Sequence, residues 1–330
     1  MVSARGRSRF DSVVVSTGTT FVPVAFPGSR KAGVHVLATE ANYVELSEAC
    51  PGYSRLLLVG SGLAALAVVD GLVRKGIQVV MAAGGPRLRL CSNLHDFVLE
   101  AAGELGVTVR GSPMRKAIGL ERVEAALVGG DVLPCDGIVV VPRRAPILPV
   151  VPAEVSPSGE MLVDSMLKST VTRLFAAGGC AAQRRDRASF AFTPAATARA
   201  SGLVAGSNAA GSRSTFAPVW VSFYRVLGLS IASAGLALAD ARAAGYEAME
   251  SCGNLDGSSA CSIVFEVGTR RVLGIQYVGR RTAPTPELFA LVVSKGILLG
   301  DLAFLEHTGS NDISSILEAA SEGMRLWQRS

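Results

Sequence analysis

The sequence predicts an α/β fold organised around one strand, glycine turn and helix, and three local observations carry that expectation. An apolar run, Leu56 to Val59, enters the turn Gly60-Ser61-Gly62-Leu63-Ala64-Ala65 and continues into a helix-like stretch from Leu63 to Lys75. A helix stop at Lys75-Gly76 is followed by a second apolar strand, Gln78 to Ala82. Leu66, Val69 and Val73 recur at helical spacing, so one face of the helix can lie on a sheet.

This order is the Rossmann-like cradle for a dinucleotide pyrophosphate. Gly60 permits the sharp turn, Gly62 lets backbone approach phosphate, and the small Ala65 lets the helix pack closely on the strand. The helix N-terminus supplies N–H groups and the positive end of a dipole. A glycine turn of this spacing also serves as a plain strand-to-helix connection, and the flanking strands favour the cradle. The second strand of such a unit usually ends in an acid that holds the adenosine ribose, whereas here it ends in Met81-Ala82-Ala83-Gly84. Arg87 and Arg89 follow, either to meet a 2′-phosphate and so favour NADP, or to stand as solvated loop residues.

The remaining elements read in order. Phe10 to Gly18 is a strand ending in a Thr17-Gly18 turn, followed by loop with Pro23 and Pro27 and a short helix up to Cys50-Pro51-Gly52. After the cradle come a helix at Leu94 to Leu105 and a strand at Val107 to Arg110. A β-meander is expected over 117 to 141, with strands Ala117 to Leu120, Ala125 to Val128 and Gly137 to Val141. The proline-rich stretch 142 to 157 reads as an inter-domain crossing. Leu174 to Cys180 is a strand entering a second glycine turn, and an Ala-rich helix, Thr193 to Ala209, follows. The last third holds a short helix at Gly235 to Gly245, antiparallel strands at Ser262 to Val267 and Val272 to Val278, and helices at Pro286 to Leu299 and Ile313 to Trp327. In the last helix Ile313, Ile316, Leu317, Ala320, Met324 and Trp327 mark one apolar face that needs a partner, such as another subunit.

Composition narrows the function. The 330 residues allow two or three domains. Hydrophobic residues make up 49%, much of it in short runs of the kind that form parallel strands buried on both faces. No apolar stretch approaches the roughly 20 residues that span a bilayer, and the charged start has no apolar core of signal-peptide type, so a cytoplasmic protein is expected. The net charge is +5, but its basic residues are dispersed and aromatics are few, which argues against a nucleic-acid partner. The six cysteines are scattered and the three histidines lack cysteine neighbours, so no metal site is expected.

Taken together, the motifs resemble the pyridine nucleotide-disulfide oxidoreductases, the flavoenzymes that include NADH oxidases, coenzyme A-disulfide reductases, dihydrolipoamide dehydrogenase and ferredoxin reductases. Phe10 to Gly18 is similar to the family's aromatic-Asp-hydrophobic-Ala-Thr-Gly strand, and Gly60 to Ala65 to its NAD(P)H fingerprint. Asp136 to Val141 is similar to the strand closing the nicotinamide domain, and Leu174 to Cys180 to the second flavin motif. Gly235 to Tyr246 and Val272 to Gly279 resemble the C-terminal dimerisation domain.

The resemblance implies a Rossmann-like NAD(P)-binding domain, 53–143, inserted in a partial FAD-binding domain, 1–52 and 144–215, with an α+β dimerisation domain at 216–330. It implies NAD(P)H and FAD as cofactors, hydride transfer from nicotinamide to flavin, and a homodimer. Cofactor contacts then fall on Gly60, Ser61, Gly62, Leu63, Ala64 and Ala65, on Ala83 and Arg87, on Thr17 and Gly18, and on Gly178, Gly179 and Cys180. His307 and Asp312 resemble the family's proton-transfer histidine and its orienting carboxylate, the alternative being an Asp312 helix cap beside a surface histidine.

Two departures qualify those implications. Only nine residues precede Phe10, where a flavin-binding βαβ unit would take about 30. The expectation is that the N-terminal flavin cradle and redox cysteine are missing here, through a late-called start or a separate polypeptide that supplies the flavin unit. Gly179 also stands where the family places the aspartate that holds the flavin ribityl chain. The alternative function is therefore a non-catalytic nucleotide-binding or dimerising relative that has lost flavin. An NADP enzyme without flavin would need a substrate acid or base that the sequence does not name.

Overall fold

The computed structural model describes all residues except 1, 4–5, 8, 83–89, 186–187, 256, 281–285, 307–310 and 330, and the backbone alone of 2–3, 6–7, 185, 188, 254–255 and 311–312. Its centre is a five-stranded parallel sheet in the order Val34–Val36, Gly137–Val140, Arg55–Val59, Gln78–Ala82, Thr108–Arg110. Leu56, Leu57 and Leu58 are wholly buried because both faces of this sheet are covered. Helices Leu63–Arg74 and Ser92–Glu104 cover one face through Leu66, Val69, Leu94 and Val98. On the other face, Leu57, Ile138 and Val140 meet Ala117, Val123 and Ala126.

Those last residues belong to the antiparallel meander Met114–Ile118, Ala125–Val128, Asp131–Pro134. Gly137–Val140, expected as the meander's final strand, instead lies parallel between Val34–Val36 and Arg55–Val59. Its four consecutive buried residues explain the difference, since a half-exposed meander strand alternates and this one does not. Val34–Val36 and the helix Glu40–Ala49, which precede residue 53, also pack with this sheet.

The chain on either side of the sheet shares a second core. Val13–Val15 pairs in parallel with Leu174–Ala176, and Thr19–Phe21 pairs antiparallel with Arg144–Pro146. Val15, Met161, Phe175, Cys180, Phe192 and Phe216 pack there beneath the helix Ala195–Ala209. The parallel-sheet unit thus lies in the chain between two segments that pack together.

The C-terminal third is a five-stranded antiparallel sheet ordered Ser222–Val226, Leu229–Gly235, Val272–Gly279, Ser259–Glu266, Ala248–Leu255. Gly235 ends a strand here, and the expected helix is confined to Leu238–Ala243. The single helix expected from Pro286 divides into Pro286–Lys295 and Leu299–Ala303, because Gly296 at φ +66° ends the first. One face of the sheet buries Ile231, Ala260 and Val278 against the nucleotide unit's core. The other buries Ile263, Phe265, Ile275 and Tyr277 under the C-terminal helices.

The apolar face of the last helix, Asn311–Arg329, therefore finds its partner in its own chain. Ile316, Ala319 and Ala320 are core residues, and the Trp327 indole N–H donates to the Val267 carbonyl at 3.0 Å. The helix comes close enough that a Cβ on Gly253 would meet the Ser315 carbonyl oxygen and, at 2.5 Å, the Ala319 nitrogen. Gly253→Ala is expected to lower stability by about 1–3 kcal/mol through overpacking, read as a lower urea midpoint with an unchanged slope. An unaltered midpoint would remove the close-approach argument.

Candidate functional site

The first cradle sits at the carboxyl ends of the parallel strands, where open α/β sheets bind ligands. The strand beneath it is held in place by Asp136, whose carboxylate accepts the Ser54 and Arg55 N–H groups, each at 2.8 Å. Gly60 turns out of the strand against Val141, where a Cβ would lie 3.0 Å from the valine Cβ and 3.4 Å from that of Ala65. Ala65 is wholly buried, as close helix–strand packing requires. Gly62 precedes the helix at φ +89° and ψ 177°, a conformation essentially confined to glycine. Among the described residues no side chain caps the helix; the Gly62 carbonyl accepts from Leu66 at 3.2 Å, and Ser61 is exposed beside the first turn. Leu63 and Ala64 open the helix.

The chain leaving this cradle leads directly to the second glycine turn. After Val141, the Arg143 carbonyl accepts from Val22 at 2.8 Å, Arg144–Pro146 pairs with Thr19–Phe21, and Ile147 donates to the Gly18 carbonyl at 2.9 Å. The Thr17 hydroxyl donates to the Ile147 carbonyl. Across this loop, Ala177 donates to the Val15 carbonyl at 3.0 Å and the turn Gly178–Cys180 follows, with Gly178 at φ +72°. The Gly178 N–H donates to the Ser201 hydroxyl at 3.0 Å, and a Cβ on Gly179 would sit 3.1 Å from the Thr19 methyl. Thr17, Gly18, Gly178 and Gly179 are thus brought together. Cys180 is wholly buried, its thiol directed at the Val15 and Ala177 carbonyls.

Ala83, Arg87 and His307 lie outside the described residues, as does the side chain of Asp312. Val141, Asp136 and Ser201, which shape the two turns, were not singled out as site residues from sequence. Asp136 had one signal, its place at the head of the closing strand. No cluster of metal-binding side chains occurs among the described residues, and none of their helices is long and apolar enough to cross a membrane. Both turns are built from small residues, and at the second the Gly178 N–H is already taken by the Ser201 hydroxyl.

This arrangement can be set beside known proteins. The family profile for pyridine nucleotide-disulphide oxidoreductases matches residues 3–202. The chain belongs to this family. It is 29% identical to rhodocoxin reductase of Rhodococcus erythropolis over 180 residues, covering 52% of this chain and 42% of that protein. It is 26% identical to an NADH oxidase of Streptococcus pneumoniae over 292 residues, covering 80% and 60%. The chain thus spans about half the length of these curated relatives. The fold matches the water-forming NADH oxidase from Lactobacillus brevis bound to NADH, with TM-score 0.82 and 16% identity over 98% of this chain and 77% of that one. It also matches the NAD-dependent persulfide reductase from A. fulgidus, with TM-score 0.81 and 19% identity over 97% and 64%. These two likenesses establish the fold.

In the family's nucleotide sheet, one buried histidine stands on the outer strand. His35 Nε2 lies 2.8 Å from the Tyr53 hydroxyl, and burial lowers the imidazole pKa below 6.5 against a smaller opposing pull from Glu45. The unfolded chain then binds this proton more readily than the folded one. His35 accordingly costs no stability above about pH 6.5 and costs progressively more as pH falls below it. Urea midpoints of the parent minus those of His35→Gln should decline from neutral pH toward about pH 5. A difference that stays flat across that window would contradict the buried neutral imidazole.

Proposed function

We propose that this chain works as an NAD(P)H-dependent FAD oxidoreductase of the NADH oxidase or disulfide reductase type. The observation that carries the reading is the Gly60–Ala65 cradle, with Gly62 in a glycine-only conformation and nothing among the described residues within 4 Å of where its side chain would be. These residues fit a dinucleotide: Gly60 and Ala65 close the helix onto the strand, and the first-turn N–H groups of the helix receive the pyrophosphate. On the sequence pattern alone, Arg87, which follows a second strand ending without an acid at Ala83, would meet a 2′-phosphate. Bound flavin would supply the acceptor for hydride from the nicotinamide. On the family likeness, His307 oriented by Asp312 would move the accompanying proton.

For flavin itself the fit is partial. Thr17, Gly18, Gly178 and Gly179 offer a turn at which a flavin could rest, but Gly179 supplies no carboxylate for a ribityl hydroxyl, a contact worth about 1.5–3 kcal/mol. A flavin held here needs further contacts, which a separate polypeptide carrying a flavin unit would provide. The same glycine favours a second reading, a non-catalytic nucleotide-binding or dimerising relative. Homodimerisation through the C-terminal domain is supported by Leu291, Phe304 and Leu305, large apolar side chains exposed on its helices and the loop after them, Phe304 at 82%.

Two measurements separate the readings. Titration with NADH and NADPH should show binding that Gly62→Ala weakens about fivefold or more, because alanine there pays roughly 1–3 kcal/mol of backbone strain. Equal affinity in parent and variant would sink the cradle. Visible spectra with added FAD should then show bound flavin absorbance that NAD(P)H bleaches without oxygen. Tight nucleotide binding with no flavin uptake would leave the non-catalytic reading standing.

A further inference from the structure

Two cysteines far apart in sequence meet where the nucleotide unit packs on the C-terminal sheet. Cys91 is the residue that precedes and caps the helix Ser92–Glu104, and Cys252 lies on the strand Ala248–Leu255. Their sulfur atoms stand 3.8 Å apart. Both are partly exposed, whereas Cys50, Cys135, Cys180 and Cys261 are buried. Each backbone is held: the Cys91 N–H donates to the Gln276 side-chain oxygen at 2.9 Å, and Cys252 pairs with Ser262 within an antiparallel ladder. Bridging them requires the sulfurs to close from 3.8 Å to the bond length of about 2.05 Å.

The two thiols are chemically unequal. The hydrogen bond from Cys252 lowers the pKa of Cys91, assisted by the Leu94 N–H in the first helical turn and by Ser262, against the opposing effects of burial and Glu250. The same hydrogen bond, with burial added, raises Cys252. An attacking thiolate and a neighbouring resolving thiol are the two parts a redox cysteine pair requires.

We propose that Cys91 and Cys252 form a reversible dithiol–disulfide site joining the nucleotide unit to the C-terminal sheet, with hydrogen peroxide or another small hydroperoxide as the oxidant. With hydrogen peroxide, the Cys91 thiolate attacks one peroxide oxygen, the O–O bond breaks, Cys91 becomes a sulfenic acid, and the departing hydroxide takes a proton to leave as water. Cys252 sulfur then attacks Cys91 sulfur, the S–O bond breaks, and the second hydroxide leaves as water with the Cys252 proton. Two thiols lose two electrons and two protons, and one peroxide becomes two waters. The bridge would tie the start of the helix Ser92–Glu104 to the strand Ala248–Leu255.

The test uses the full chain, treated with hydrogen peroxide, alkylated after denaturation and mapped by peptide mass. The expected product is a Cys91 peptide linked to a Cys252 peptide, with the other four cysteines alkylated and the link undone by dithiothreitol. In Cys252→Ser the reaction should stop at a Cys91 sulfenic acid that dimedone captures. Before oxidation, Cys91 should alkylate at least about tenfold faster than Cys135, whose thiol burial raises to about 11. Alkylation of both Cys91 and Cys252 after peroxide, pairing of either with another cysteine, or direct passage of Cys91 to the sulfinic acid in the parent protein would overturn the proposal.

Discussion

The structure depends on the pairing of Gly137–Val140 with Arg55–Val59. This strand returns after the meander and slots between two parallel neighbours, with Gly137 opposite Leu56 and Val140 opposite Val59. The Asp136 carboxylate, accepting two N–H groups at the foot of the first strand, fixes that register. The register then sets the site: it puts Val141 against Gly60 and sends the chain on to pair with Thr19–Phe21 and to bond with Thr17 and Gly18. A slip of one residue would turn every buried side chain of the strand to the opposite face and misalign both glycine turns.

A second constraint is that the cradle helix and its successor are packed between two sheets. Leu63–Arg74 and Ser92–Glu104 bury one side on the parallel strands and another against the C-terminal sheet, in a single continuous core. Polar contacts register the two domains along both helices. Asp70 accepts the Leu227 N–H at 3.0 Å, Gln276 accepts the Cys91 N–H, and Arg280 bonds both Glu104 oxygens while lying over the Phe97 ring. The Glu104 pair is half exposed and adds little energy, so its role is alignment. Ordering of the cradle helix is thus coupled to the C-terminal domain through packing.

Local pattern made much of this legible. The Gly60–Ala65 turn, the helix after it and the paired antiparallel strands near the C-terminus all follow from period and glycine placement, which act over a few residues. What escaped was set by distant partners. Gly137–Val140 looked like the end of a meander because its neighbour in sequence is antiparallel, and only its unbroken burial gives it to the parallel sheet. The face of the last helix looked unpaired because Gly253, the residue that lets it approach the sheet, lies some sixty residues earlier and is silent in sequence. Cys91 and Cys252 meet only through docking of one domain on another, which no spacing encodes.

The two glycine turns, similar in sequence, are kept for different physical reasons. At the second, the geometry is supported from within: Gly178 donates to Ser201, Cys180 fills the core, and Gly179 is pressed against the Thr19 methyl so that even a Cβ is tight. That turn would persist with no ligand, and its persistence says little about flavin. At the first turn, Gly60 has a packing reason to be glycine, because Val141 stands against it. Gly62 has none. Among the described residues nothing lies within 4 Å of its Cβ position and no side chain caps the helix it precedes, and its backbone sits where other residues are strained. A helix start in a glycine-only conformation is well suited to an anion, and Gly62, unlike Gly60, has no packing partner among the described residues that accounts for it.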